Sequence, residues 1–259
     1  MSWQKQTITK PLFPDILWNQ PINKRSSGSL LVVGGHATQF SYTQSVYTET
    51  IAAGIGSVGV ALPRSVYKLV GSLPDCNFLP ETPSGSLAAN ALDELLELAA
   101  AVDAVVLAGE LSNNTETVQL LGRFMEDCQP PIIVDDEVVE MFHKTPDTLP
   151  SEGLYITTVA TACSLARSYK IPIDIKTPNP QKTNQLLSQL SDVLAANLAI
   201  YDGEHIFVQS EGKQSMTPQN GAGSASITAY MSTFFLQHND KYEALTTAAY
   251  RAAGGSNDI

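Results

Sequence analysis

Between Ser29 and Leu62 the chain runs strand, glycine turn, helix, glycine stop, strand, and this order restricts the fold more than any other stretch. Ser29 to Val33 (Ser-Leu-Leu-Val-Val) is almost continuously apolar, the pattern of a parallel strand buried on both faces. It ends in Gly34-Gly35-His36, a turn that lets backbone approach a ligand closely. Thr43 to Ala53 reads as a helix stopped by Gly54-Ile55-Gly56, since glycine takes the backbone angles that end helices. Ser57 to Leu62 is the next buried strand, ended by Pro63. Strand, helix and strand within about 35 residues make a βαβ unit with a right-handed crossover.

The alternation continues. Pro74 to Gly85 is rich in proline and turn residues, and Leu87 to Ala101 is an amphipathic helix with Leu92, Leu95, Leu96 and Ala99 on one side. Ala104 to Ala108 is a buried strand running into Gly109-Glu110, and Thr115 to Cys128 a helix burying Val118, Leu121 and Met125. Ile132 to Val134 is a strand with Asp135, Asp136 and Glu137 at its carboxyl end. Tyr155 to Val159 reads as a strand and Ala160 to Tyr169 as a helix. After Pro172 the pattern changes: helix Lys182 to Leu194, strand Leu198 to Tyr201, hairpin turn Asp202-Gly203, returning strand Glu204 to Gln209. Ser2 to Ser27, interrupted by Pro11, Pro14 and Pro21, reads as an arm without regular structure. Leu12, Phe13, Ile16, Leu17 and Trp18 would anchor it to the body or to a second subunit. With no internal repeat and no long linker, residues 1–259 read as one α/β domain whose arm is residues 1–27.

Composition narrows the partners. A hydrophobic content of 43% supplies a core, and 26 acids against 15 bases leave a charge of -11. That balance argues against a nucleic-acid surface, which needs clustered Lys and Arg. Cys76, Cys128 and Cys163 are far apart and odd in number, as expected of reduced thiols in the cytoplasm. Met1 to Lys10 lacks the apolar core of a signal peptide, and no apolar run approaches the roughly 18 residues that span a bilayer. A soluble cytoplasmic protein is expected.

Asn220-Gly221-Ala222-Gly223-Ser224 precedes a segment with helical apolar spacing: Ile227, Tyr230, Met231, Phe234 and Phe235. A glycine turn opening a helix offers unpaired N–H groups and a positive dipole end to a phosphate; the plain alternative is an ordinary loop. Ligands of open parallel sheets bind beyond the carboxyl ends of strands. Gly34-Gly35, Gly109-Glu110 and Asp135-Asp136 are three such ends, and the glycine turn would join them if it packs on the same edge. Gly34-Gly35 also fits a simple tight turn. Asp135, Asp136 and Glu137 fit either Mg²⁺ coordination through water or a helix start favoured by its dipole. His36, His143, His205 and His238 lack metal-ligand spacing. Ser224 has no neighbouring base to activate it, so its expected role is capping the following helix.

With these motifs in order, the chain from Lys24 to Gly255 resembles the ribokinase-like NAD(P)H-hydrate dehydratases, of the carbohydrate-kinase-related type. Gly28 to Gly35 and Ala53-Gly-Ile-Gly56 are similar to that family's opening strand, glycine turn and helix end. Ala104 to Ser112, Pro131 to Asp135 and Asn220 to Ser224 are similar to its later strands and its glycine-rich anion loop. The resemblance implies a three-layer sandwich: a mostly parallel sheet, helices on both faces, antiparallel strands near the C-terminus. It implies removal of water from hydrated nicotinamide nucleotides with ADP or ATP, with Mg²⁺ possible, in a homo-oligomer. Asn220, Gly221, Ala222 and Gly223 would meet the nucleotide, and Gly34, Gly35, Gly109, Glu110 and Asp135 the substrate.

The chain departs from the family's pattern at its chemical groups. The family's loop reads Gly-Thr-Gly-Asp with a catalytic aspartate; here it is Gly221, Ala222, Gly223 and Ser224. Serine cannot replace a carboxylate as an acid or base near neutral pH. The Pro-His-x-x-Glu type motif falls near Thr158 to Ala162, without His or Glu, and the Lys-Gly pair near Ala195-Ala196. The Gly-Pro-Gly-Leu-Gly loop matches Ala108 to Ser112 with its three glycines replaced, and Glu110 there would repel a phosphate. A nucleotide-binding protein with lost or impaired dehydratase activity is therefore expected. The alternatives are an active dehydratase using Asp135 or Glu110, or a related small-molecule kinase.

Overall fold

Runs that are apolar at consecutive residues become strands covered on both faces. The computed structural model describes residues 3–21, 23–71, 75–173, 175 and 179–256; Ser2 and Pro74, both named above, lie outside them. The strands are β1 (Gln4–Lys5), β2 (Ser29–Val33), β3 (Ser57–Pro63), β4 (Cys76–Leu79) and β5 (Ala104–Leu107). They continue with β6 (Ile132–Val134), β7 (Leu154–Thr158), β8 (Asn197–Tyr201), β9 (His205–Ser210) and β10 (Lys213–Pro218). All join one sheet in the order β1-β10-β9-β8-β7-β6-β5-β2-β3-β4. From β8 to β4 every pairing is parallel. The β8-β9 and β9-β10 pairs are antiparallel, as the hairpin turns at Asp202-Gly203 and Glu211-Gly212 require.

The helices are α1 (Pro14–Trp18), α2 (Ser41–Ala52), α3 (Tyr67–Val70), α4 (Leu92–Ala100) and α5 (Thr115–Asp127). After them come α6 (Asp136–Phe142), α7 (Val159–Ser168), α8 (Pro180–Ser191), α9 (Ser224–Gln237) and α10 (Lys241–Ala252). Side chains alternate across the sheet. Leu31, Val33, Val105, Leu107, Val134 and Leu198 pack with α4 to α8 on one face. Leu30, Val32, Val106, Ile133 and Ile156 pack with α2, α9 and α10 on the other. The result is an α/β three-layer sandwich.

Three stretches depart from expectation. Cys76–Leu79, within the proline- and turn-rich segment, is a strand because the edge of β3 supplies its hydrogen bonds. The arm is not free of regular structure: β1 pairs with β10, and Pro14 opens α1, where its missing N–H costs nothing. Phe13 meets Tyr242 edge-on at 5.7 Å and Leu17 is buried, so the arm anchors on the body. Trp18, 64% exposed, does not anchor the arm on the body. The helix expected from Leu87 begins as a 3-10 turn at Ala89–Ala91.

Candidate functional site

Strand order reverses between β5 and β2, which opens a crevice at their carboxyl ends. Gly34 and Gly35 follow β2 there. A Cβ on Gly34 would lie 2.4 Å from Thr43 Oγ1 and 2.9 Å from the Gly109 carbonyl, so α2 and the β5 turn approach as only glycine allows. Gly35 has φ +76°, and its N–H donates to the Gly109 carbonyl at 3.2 Å. These two glycines therefore make a tight, packed turn.

Carboxylates hold the rest of this edge together. Glu110, itself at φ 60°, reaches across to the first turn of α2. Its Oε2 accepts from the N–H groups of Tyr42 (2.9 Å) and Thr43 (3.3 Å), and Oε1 from the Ser41 hydroxyl (3.2 Å). Glu137 accepts from the Glu110 N–H at 2.7 Å. Asp136 accepts from Thr157 Oγ1 and the Thr158 N–H, both at 2.7 Å. Of the two readings of Asp135-Asp136-Glu137, the structure has the helix start: Asp135 caps α6 through the Asp136 N–H at 2.8 Å. Among the described residues no three His, Cys, Asp or Glu side chains gather to hold a metal.

Asp135 links three elements. It is 2% exposed and follows Val134, so it points to the face carrying α2 and α9. The Tyr42 hydroxyl donates to its Oδ2, and Thr228 Oγ1 on α9 to its Oδ1 at 3.2 Å. Burial pushes its carboxyl up to about 7, against the hydrogen bonds from Tyr42, the Asp136 N–H and Thr228, which favour the charged form. Burial and the neighbouring Asp135 charge push the Tyr42 phenol far up in turn.

Through Thr228 the glycine turn meets this same edge. Asn220, Gly221 and Gly223 are exposed, Gly221 has φ +75°, and a Cβ on Gly221 or Gly223 would face open space. Gln219 accepts from the Ala222 N–H at 2.8 Å and donates to the Asp202 carbonyl, fixing the turn to the β8-β9 hairpin. The caps at this edge then differ in kind. Asn114, Asp135 and Thr158 cap α5, α6 and α7, and Glu110 covers α2. For α9 the N-cap is Gly223, with no side-chain cap bond. Ser224 is the first helical residue and not the cap expected of it, because the extended N-cap backbone falls one residue earlier. His36 bonds within its own turn, to the Thr38 N–H at 3.3 Å. Sequence reading missed Tyr42 and Thr228; their lone signal was a polar side chain within the first turn or two of an edge helix.

Solved structures match this architecture along nearly its full length. A ribokinase-like superfamily protein of Enterococcus faecalis superposes over 98% of this chain and 88% of its own, at TM-score 0.72 and 14% identity. The fold is ribokinase-like. The ribokinase-like chain also matches a Bacillus subtilis ADP/ATP-dependent NAD(P)H-hydrate dehydratase co-crystallized with ATP/Mg²⁺, over 96% of this chain and 92% of that one (TM-score 0.65, 13% identity). No family model matches it. In sequence it resembles the bifunctional NAD(P)H-hydrate repair enzymes of Moorella thermoacetica (34% identity over 115 residues) and Methanothermobacter thermautotrophicus (28% over 123). Those matches cover 43% and 46% of this chain but only 22% and 24% of the relatives.

Proposed function

We propose that the chain is an NAD(P)H-hydrate dehydratase-like nucleotide-binding protein whose dehydration chemistry is lost or impaired. The observation that carries the reading is the open glycine turn on α9, whose N-cap Gly223 makes no side-chain cap bond, with Ser224 where the resembled family has its aspartate. A helix start with free N–H groups suits a nucleotide phosphate. The amides of Gly223 and Ser224 would hold it, and Gln219 fixes the turn's shape. Bound ADP or ATP would supply the phosphate and bring any Mg²⁺ on its own oxygens, as Mg²⁺ commonly arrives. The carboxylates nearest the crevice are engaged: Glu110 on α2, Asp135 under Tyr42 and Thr228. The same reading has Gly34, Gly35 and Gly109 shaping the substrate side, and a cytoplasmic homo-oligomer.

Calorimetry with ADP, ATP and NADPH, with and without Mg²⁺, tests it, followed by a turnover assay on hydrated NADPH. ADP or ATP binding without turnover is expected. Absence of binding at millimolar nucleotide sinks the reading. Turnover would favour the substituted enzyme, with Asp135 as its acid or base.

A further inference from the structure

Beneath the glycine turn lies a carboxyl group that no cationic side chain among the described residues pairs with. Asp135 Oδ1 accepts from the Asp136 N–H (2.8 Å) and from Thr228 Oγ1 (3.2 Å), and Oδ2 from the Tyr42 hydroxyl. Tyr42 Oη also lies 3.2 Å from Thr228 Oγ1. Thr228 stands four residues beyond Ser224, so about one helical turn, roughly 6 Å, separates this cluster from the open end of α9. Among the described residues, the titratable groups facing Asp135 are Tyr42 from α2, Asp136 from α6 and Tyr201 from β8, all acids; α9 contributes the uncharged Thr228.

We propose that docking of an anion on the glycine turn is coupled to uptake of one proton by Asp135. The inference rests on reading α9 as the anion site. A phosphate arriving one turn away adds like charge to a buried carboxylate in surroundings that screen poorly, and protonation removes the conflict. The cluster accepts that proton by turning hydroxyls alone. A proton from solvent binds Oδ2, and the new O–H donates to Tyr42 Oη. The Tyr42 hydroxyl turns to donate to Thr228 Oγ1, while Thr228 and the Asp136 N–H keep Oδ1. Because burial already pushes this carboxyl up to about 7, the exchange falls within an accessible pH range. By reciprocity, whatever raises proton affinity when the anion binds also raises anion affinity when the proton binds.

Calorimetry of ADP in metal-free solution, between about pH 6 and about pH 8 in buffers of differing ionisation enthalpy, measures the protons exchanged. Wild type and Asp135→Asn are compared, since the nucleotide's own titration is common to both. Wild type is expected to take up more protons than Asp135→Asn. Its affinity should fall relative to the variant with a limiting slope of about tenfold per pH unit. Tyr42→Phe keeps the carboxyl but deletes a donor that favours its charged form, so its affinity midpoint should move to higher pH; this variant carries the test if Asp135→Asn does not fold. ADP binding with equal proton uptake and parallel pH profiles in all three proteins overturns the coupling and leaves the anion site standing. No binding by any of them across the range overturns both.

Discussion

Asp135 and Glu110 both accept N–H groups at a helix start, but they differ in burial. Asp135 is buried, with its carboxyl raised to about 7 from an ordinary value near 3.8. Between those limits the folded chain holds a proton that the unfolded chain has released. Stability from this group is therefore complete below about pH 4 and lost as pH rises through about 7. Each unit is worth on the order of 1.4 kcal/mol, so the loss is a few kcal/mol. Urea denaturation at about pH 5 and about pH 8 should show it in wild type, and Asp135→Asn should be flatter across the same window. Glu110 stays at the surface of the edge and takes two N–H groups at the start of α2. Its replacement by Ala leaves them uncapped and should cost about 1 kcal/mol, read as a lower urea midpoint.

On the scale of elements, the carboxyl edge is a row of helix starts whose vacancies are mostly filled from within. Asparagine, aspartate, threonine and the distant Glu110 serve α5, α6, α7 and α2. The start of α9 is built of glycines instead. A carboxylate placed there should act as an internal anion. Ser224→Asp is expected to raise stability by about 0.3–1 kcal/mol through the helix dipole without abolishing ADP binding. A thermal melt and a nucleotide titration of the same sample check both halves. A variant that is no more stable, or that no longer binds ADP, would count against α9 as the anion site.

For the whole molecule, a single sheet crosses the described chain, with β1 and β4 at its outer edges. The arm belongs to that sheet: Gln6 is 4% exposed and donates to Thr217 Oγ1 (2.7 Å) and the Thr246 carbonyl (2.6 Å), and Trp3 stacks on Phe207 at 6.0 Å. We propose that residues 1–259 unfold as one unit. Tryptophan fluorescence, which Trp3 makes sensitive to the arm, should then change together with far-UV circular dichroism along a denaturant series. An earlier fluorescence transition would make the arm a separate unit. The charge of -11 sets no fold but disfavours polyanionic partners.

Burial was legible in the sequence because it is a local pattern. Ser29 to Val33 and Ile132 to Val134 are strands at the limits their apolar runs mark, since a strand covered on both faces needs apolar side chains at every residue. The hairpin at Asp202-Gly203 and the amphipathic helices followed for the same reason. Cys76–Leu79 was not legible, because an edge strand gets its hydrogen bonds from a neighbour some 15 residues earlier in the chain. At the site, sequence marked Gly34, Gly35, Gly109, Glu110, Asp135 and the glycine turn as candidates, from residue types at strand ends. Only the tertiary structure decided what they touch. It seated Glu110 on α2, moved the α9 cap from Ser224 to Gly223, and brought Tyr42, Asp135 and Thr228 together across separations of 93 residues. Such contacts depend on which face of the sheet each helix covers, and one stretch of chain holds no record of the others' placement.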